Sequence, residues 1–267
     1  MLWIVASLFP SIFVRKAYQY LTTPMVFKLR PHEKEVLDTA KKERLDFNDF
    51  DIQLYCWGQG EPTVLLVHGW EGHAGNFADL VPHLIKRNFT VLAFDGPSHG
   101  ASSKGPTSSF EFTDLVTTLV KKYHPQHVVS HSFGSVAALI SLGSHPELNV
   151  KKYVGVTVPN KLRERLEEIA NFIGLPYIVV TRLIEKLQAK HNIVVDQINV
   201  QDYAPKSSFN SALILHDEND RVLPIERSKE VADHWPIAQF EVVNGTGHYR
   251  ILRTPQVLHR IADFLEN

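Results

Sequence analysis

The stretch from His127 to Ile140 constrains this chain more than any other. His127-Val128-Val129 is a short, largely apolar run with β-branched residues, which predicts a buried strand. Val136-Ala137-Ala138-Leu139-Ile140 predicts a helix whose small residues let it pack closely on that strand. Only Ser130-His131-Ser132-Phe133-Gly134 lies between them. That pattern has the shape of a sharp strand-to-helix turn with Ser132 raised at its apex. The residues two before and two after the apex must be small, because the turn brings their backbones together. Gly134 meets that demand, and Ser130 and Ser135 are expected to act as small packing residues.

A strand followed at once by a helix predicts an α/β chain, and the flanking sequence repeats the pattern. Phe50, Ile52, Leu54 and Cys56 alternate with polar residues, as in a half-buried strand. Val64-Leu65-Leu66-Val67 is a solid apolar run of the kind central parallel strands show. Helix over residues 76–86, strand over 91–94 and helix over 109–123 follow; after the central stretch come strand over 153–158, strand over 211–215, helix over 225–235, strand over 240–243 and helix over 255–265. The expected fold class is therefore α/β: a mostly parallel central β-sheet with helices on both faces. Residues 159–207 interrupt the rhythm with two amphipathic helical patterns and no central strand, and are expected to form a helical lid. The expected organisation is an extension over residues 1–44, a core over 45–158 and 208–267, and the lid between. Within the extension a charged helix is expected from about His32 to Arg44.

Composition narrows the function classes. The chain has 267 residues, 44% of them hydrophobic, enough for a sizeable core. Its formal net charge of −1 and lack of a basic run argue against nucleic acid as a partner. Cys56 is the one cysteine, so no internal disulfide forms; a buried filler is the expected role. Leu2 to Val14 is nearly all apolar and is followed by Arg15 and Lys16. That run is shorter than the roughly 20 residues a spanning helix needs. Three roles stay open for it: packing against the body or lid, peripheral contact with a membrane surface, or a cleaved export signal. The expected location is cytoplasmic, with membrane association through this segment as an addition. Pro10 is expected to break it.

Four further motifs carry chemistry. His68-Gly69-Trp70-Glu71-Gly72-His73 follows the strand over 64–67. Asp95-Gly96-Pro97-Ser98-His99-Gly100-Ala101-Ser102 follows the next. His216-Asp217-Glu218-Asn219-Asp220-Arg221-Val222-Leu223-Pro224 follows the strand after the insertion, and Gly245-Thr246-Gly247-His248-Tyr249 follows the last. With the Ser132 turn, these resemble in chain order the parts of α/β-hydrolases, across residues 45–267. The first resembles that family's His-Gly motif, the second its Asp-x-Pro-Gly-His-Gly-x-Ser turn with Ser98 in place of a glycine, and the Ser132 turn its nucleophile elbow with Ser130 in place of one.

The resemblance implies a catalytic Ser132, an orienting acid at Asp220 (with Asp217 and Glu218 as alternatives) and a base at His248. It implies an oxyanion hole from the Trp70 and Phe133 backbone N–H groups, with His68, Gly69 and His131 contacting substrate. Asp95 is expected to be a structural acceptor. Serine at the apex points to acyl transfer, whereas relatives acting on epoxides and haloalkanes carry aspartate there. The implied activity is a serine hydrolase cleaving a small-molecule carboxylic ester through an acyl-enzyme, with no cofactor. Thioester or carbon–carbon bond hydrolysis by the same triad, and a non-catalytic ligand-binding role, are the alternatives. A metal enzyme would draw on His68, His73, His99 and His131, but no His-Glu-x-x-His or paired-cysteine spacing exists. No phosphate-binding glycine motif follows any strand.

Overall fold

The computed structural model describes residues 10–60 and 63–267. The apolar run before Pro10, and Glu61 and Pro62 of the turn after Gly58, lie outside the described residues. In chain order the elements are α1 (Pro10–Thr22), α2 (Pro31–Asp38), β1 (Lys41–Phe47), β2 (Phe50–Trp57), β3 (Val64–Val67), α3 (Leu80–Ile85), β4 (Val91–Phe94), α4 (Ser109–Tyr123), β5 (His127–His131), α5 (Phe133–Ser144), β6 (Lys152–Val156), α6 (Leu162–Phe172), α7 (Tyr177–His191), α8 (Val200–Tyr203), β7 (Ser211–Asp217), α9 (Ile225–Asp233), β8 (Ala238–Val243), α10 (Gly247–Arg250) and α11 (Pro255–Glu266).

Among the described residues eight strands form one sheet in the order β1-β2-β4-β3-β5-β6-β7-β8. The β1–β2 and β2–β4 pairs are antiparallel and every later pair is parallel. The expected mostly parallel sheet is thus present. Its central strands β3, β4 and β5 are buried along their whole length, which is why β3 and β4 read as apolar runs and not as alternations. Two cores cover the faces: α4, α5 and α9 pack on one, α3 and α11 on the other.

The charged helix expected to reach Arg44 instead ends at Asp38, and Lys41–Phe47 is an edge strand. Its register with β2 runs from Lys41 opposite Cys56 to Phe47 opposite Phe50. Lys-Lys-Glu-Arg-Leu favours helix locally, but the antiparallel hairpin decides, and charged residues are what an exposed sheet edge tolerates. The boundary expected after residue 44 therefore cuts through a strand. The helix expected over 76–86 splits into a 3₁₀ turn at Ala74–Phe77 and α3. Pro10 is the first residue of α1, where its missing N–H costs nothing. Among the described residues no helix is long and apolar enough to cross a membrane.

The segment between β6 and β7 is helical, as α6, α7 and α8. Leu166, Ala170, Val180, Leu183, Ile184 and Leu187 bury against one another, and Ala17, Tyr18 and Leu21 of α1 pack on that cluster. Val14 joins Val179 of α7, with Phe13 and Leu175 beside them. The N-terminal helix is thus built onto the insertion.

Candidate active site

Ser132 sits between β5 and α5 at φ 52°, ψ −124°, a conformation L-residues rarely adopt. The turn is held by the Ser132 N–H donating to Val156 O (3.0 Å) and the Ser135 N–H donating to Ser132 O (2.8 Å). A Cβ on Gly134 would stand 2.4 Å from Val67 O and 2.5 Å from His68 O, so only glycine lets α5 leave the strand so steeply. Ser130 does more than fill space. Its hydroxyl bonds the Tyr153 hydroxyl at 2.7 Å and donates to Ser135 Oγ at 3.0 Å, a buried polar knot under the turn.

His248 reaches Ser132 from the loop after β8. Gly245 (φ 76°) and Gly247 (φ 63°) give that loop the left-handed turns it needs. His248 Nε2 lies 3.1 Å from Ser132 Oγ, and its Nδ1 lies 2.7 Å from Asp220 Oδ2. An ionised carboxylate only accepts, so Nδ1 carries the proton and Nε2 is free to accept from the serine hydroxyl. The Asp220 side chain has no exposed surface. Burial by itself would raise its pKa, but hydrogen bonds from His216, His248 and the Leu223 N–H prevail and hold the carboxyl well below the usual carboxylate range. Its other oxygen accepts from the Val222 (2.7 Å) and Leu223 (3.0 Å) N–H groups.

Asp217 faces elsewhere. Its Oδ2 accepts from the Thr246 N–H (2.5 Å) and hydroxyl (2.8 Å), and its Oδ1 from the Asn219 N–H (2.8 Å). It thus ties the His248 loop to the end of β7. Glu218 is exposed. Of the three candidate acids, Asp220 alone contacts the imidazole.

On the other side of Ser132, a Cβ on Gly69 would be 3.2 Å from both Ser132 Cβ and His131 O, so the loop after β3 presses against the turn. Among the described residues the Trp70 and Phe133 N–H groups have no backbone or side-chain acceptor, and both residues border the cavity at Ser132. Their rings meet edge to face at 5.5 Å.

A model of the alpha/beta hydrolase family matches residues 64–158, from β3 to just past β6. A hydrolase of Bacillus subtilis is 22% identical over 78% of this chain and 91% of its own length. The Chromobacterium violaceum pimeloyl–acyl-carrier-protein methyl ester esterase is 34% identical over a shorter stretch, 40% of this chain and 41% of that protein. Among solved structures, an esterase of Pyrococcus furiosus superposes with a TM-score of 0.63 at 21% identity, covering 92% of this chain and 96% of that one. The chain is thus similar to the α/β-hydrolase superfamily from β3 to β6 and shares the fold of these solved structures.

The match carries the turn at Ser132 and the loop at Trp70, while Asp220 and His248 lie beyond it; the tertiary structure brings them together. His68 departs from its expected place against substrate. Its ring is wholly buried behind the loop, donating from Nδ1 to Gly69 O (2.7 Å) and accepting the Gly96 N–H at Nε2 (2.9 Å). Burial pushes its pKa down to about 4, so it stays neutral and pins the loops after β3 and β4 together. His131 does border the cavity, and its Nε2–H donates to His248 O at 2.9 Å. Burial, aided by the neighbouring His248, lowers it to about 3, so it steadies the loop as a neutral ring. Gly69 lines the cavity.

Asp95 is a structural acceptor, taking the Ala74 N–H (2.8 Å), the Ala101 N–H (2.7 Å) and the Tyr55 hydroxyl (3.1 Å). Ser98, standing where a glycine is usual, sits at φ 66°. His99 donates from Nδ1 to Pro97 O (2.8 Å) and accepts the Glu71 N–H at Nε2 (3.1 Å). The half-buried Cys56 thiol is pushed up to about 11 by burial, which leaves it protonated and unreactive.

Two supports escaped the sequence reading. His216, fully buried on β7, donates from one ring nitrogen toward the site and is fixed from behind: its Nδ1 lies 2.6 Å from Ser228 Oγ and its Nε2 3.1 Å from Leu223 O and 3.5 Å from Asp220 Oδ2. The second is the connector between α1 and α2, whose Phe27 N–H donates to Glu71 O (3.1 Å) and whose Phe27 ring packs on Tyr249. A strand-end histidine and a phenylalanine in a proline-punctuated connector carry no local signal of either role. The cavity above Ser132 measures about 1270 Å³ and is bordered by this connector, α4, α5, α6 and the His248 loop.

Proposed function

We propose that this hydrolase is a serine carboxylesterase in which Ser132, His248 and Asp220 form the catalytic triad. His248 Nε2 removes the proton as Ser132 Oγ attacks the ester carbonyl, and the Trp70 and Phe133 N–H groups hold the developing oxyanion. The tetrahedral intermediate collapses to an acyl-serine while the alcohol departs with the proton from His248. Water, deprotonated by the same imidazole, then releases the acid. Asp220 keeps the proton on Nδ1 and stabilises the imidazolium without taking the proton itself. Helices α6 and α7 act as a lid that keeps bulk water from the cavity.

The observation that carries this reading is the unbroken chain from the strained Ser132 through His248 Nε2 (3.1 Å) to Asp220 (2.7 Å). A fluorophosphonate probe tests it. Wild type should label and should hydrolyse aryl esters in preference to the matching thioesters, and Ser132→Ala should do neither. A wild type that neither labels nor turns over an ester panel would leave a ligand-binding role.

Peripheral membrane contact is part of the same proposal. Phe172, Ile173, Tyr177 and Ile178 are exposed at the turn joining α6 to α7, and Val14 near the start of α1 packs on Val179 beside them. The apolar sequence ahead of Pro10 and this exposed apolar turn together fit a lipid surface as the occupant. Removing residues 1–9 should weaken sedimentation with anionic phosphatidylglycerol vesicles; unchanged partitioning would remove the membrane reading.

A further inference from the structure

One face of α5 is left open in a helix that is otherwise buried. Gly134, Ser135, Ala137, Ala138, Leu139, Ser141, Leu142 and Gly143 are buried, whereas Phe133, Val136 and Ile140 are half-buried and Ser144 is exposed. Those four residues recur at helical spacing, and all four border the cavity. They form a ladder that starts beside Ser132 and runs about 17 Å along the helix axis, at 1.5 Å per residue.

Much of the surface facing the ladder is apolar or already satisfied. Leu162, Leu166 and Ile169 of α6, with Leu187 of α7, border the cavity from the insertion. From α4 come Phe110, Thr113 and Thr117. Thr113 Oγ1 donates to Ser109 O (2.9 Å), while Thr117 Oγ1 bonds Thr113 O (3.2 Å) and Ser141 Oγ (2.6 Å), so these hydroxyls already have protein partners. The His191 ring stacks on Phe110 at 4.6 Å. At about 1270 Å³, the cavity exceeds the roughly 300–1,000 Å³ usual for small-molecule sites. Asp114 of α4, which is exposed to solvent, and the Arg165–Glu168 ion pair of α6 also border the cavity, and His145 lies past the ladder's far end.

We infer that the substrate carries a long, unbranched acyl chain laid along this face of α5. Its carboxyl carbon sits at Ser132 and its methyl end near Ser144, with Phe133, Val136, Ile140 and Ser144 as the measure of chain length. The inference rests on the esterase reading above. The ladder's length corresponds to a chain of roughly twelve to fourteen carbons.

The test is the profile of kcat/KM against acyl length for p-nitrophenyl esters from acetate to palmitate. Wild type should gain up to about fourfold for each added CH₂ through the mid-length esters and level off once the ladder is filled. Val136→Trp, Ile140→Trp and Ser144→Trp should then shorten the preferred chain progressively less, each lowering the ratio of long- to short-ester kcat/KM by tenfold or more beyond its own rung. A general structural disturbance would not produce that order. Thermal unfolding of each variant identifies one that fails to fold, and Ser144, being exposed, accepts an indole without repacking. A wild type that prefers acetate or butyrate, or variants that reduce all lengths by one common factor, would overturn the ladder while leaving the esterase standing. Absence of both fluorophosphonate labelling and ester turnover would overturn both.

Discussion

Asp217 and Asp220 lie three residues apart and both bond the histidine loop, yet they have different partners there, and replacing each by asparagine tests the two roles proposed for them. At Asp220 the carboxamide must face His248 Nδ1 at the present 2.7 Å with either its oxygen or its NH₂. The other carboxylate oxygen accepts the Val222 and Leu223 N–H groups, so the amide oxygen stays with them and the NH₂ turns to the imidazole. An NH₂ there makes Nδ1 an acceptor and moves the proton to Nε2, where it blocks acceptance from Ser132. Loss of the correct tautomer lowers turnover by about 10⁴-fold in a triad of this kind.

Asp217→Asn leaves that tautomer intact but sets an NH₂ against donors that now bond a buried carboxylate: the Thr246 N–H and hydroxyl, and the Asn219 N–H. Losing one or two charge-assisted bonds costs about 2–4 kcal/mol. At roughly 2–4 °C per kcal/mol for a domain of this size, Tm should fall by about 5–15 °C. The assay pairs the second-order rate of fluorophosphonate labelling, which needs no knowledge of the substrate, with a thermal melt. Asp220→Asn should lose at least about a thousandfold in labelling at temperatures where the melt shows it still folded. Asp217→Asn should melt early yet label within about tenfold of wild type below its transition. Equal effects on labelling, or the reverse order, would refute the assignment of the acid.

Three further outcomes are expected. Gly134→Ala drives a methyl group into Val67 O and His68 O, so it should destabilise by about 3 kcal/mol or more and, by displacing the Phe133 N–H, slow labelling over a hundredfold; urea titration and labelling together would show it, and a wild-type-like variant would refute the close approach. Ser130→Gly removes the hydroxyl shared with Tyr153 and Ser135, and should lower stability by about 1–3 kcal/mol while labelling stays within a few-fold; lost labelling in a stably folded variant would give Ser130 a direct role. Stability should fall on acidification below about pH 6.5, because the unfolded chain then binds protons that the buried rings of His68 and His127 (both held at about 4) and His131 (about 3) refuse. The folded state binds fewer protons there, so each ring contributes a slope of at most about 1.4 kcal/mol per pH unit, ending at its own folded value. The lowered Asp220 adds in the same direction, its contribution present above the ordinary carboxylate value and lost as pH falls further. Urea midpoints that stay level from pH 6.5 to 4.5 would refute this account.

The long strongly patterned elements were legible because their burial is uniform. Val64–Val67 and Val91–Phe94 are buried on both faces and so appear as unbroken apolar runs, while Ser109–Tyr123 carries its buried residues at helical spacing under a Ser108 N-cap. Lys41–Phe47 was misread for the opposite reason: an edge strand with charged outward residues has little pattern, and its identity comes from pairing with β2. The same division runs through the site. Ser132 and His248 were legible because each needs a local backbone feature, small residues around a tight turn in one case and flanking glycines in the other.

Asp220 was not separable from Asp217 and Glu218 by spacing, since all three lie in one polar loop. Only the fold of that loop aims one carboxylate at an imidazole and another at a backbone amide. By itself the sequence determined a parallel α/β sheet, an apex serine, a histidine loop and a helical insertion, because these follow from periodicity, glycine placement and chain order. Tertiary structure alone decided which acid meets His248, that His68 is a buried joint, that Ser130 belongs to a polar knot, and that one face of α5 stays open. Each of those depends on partners tens of residues away, and a side chain's burial and hydrogen bonds exist only once the partners have arrived.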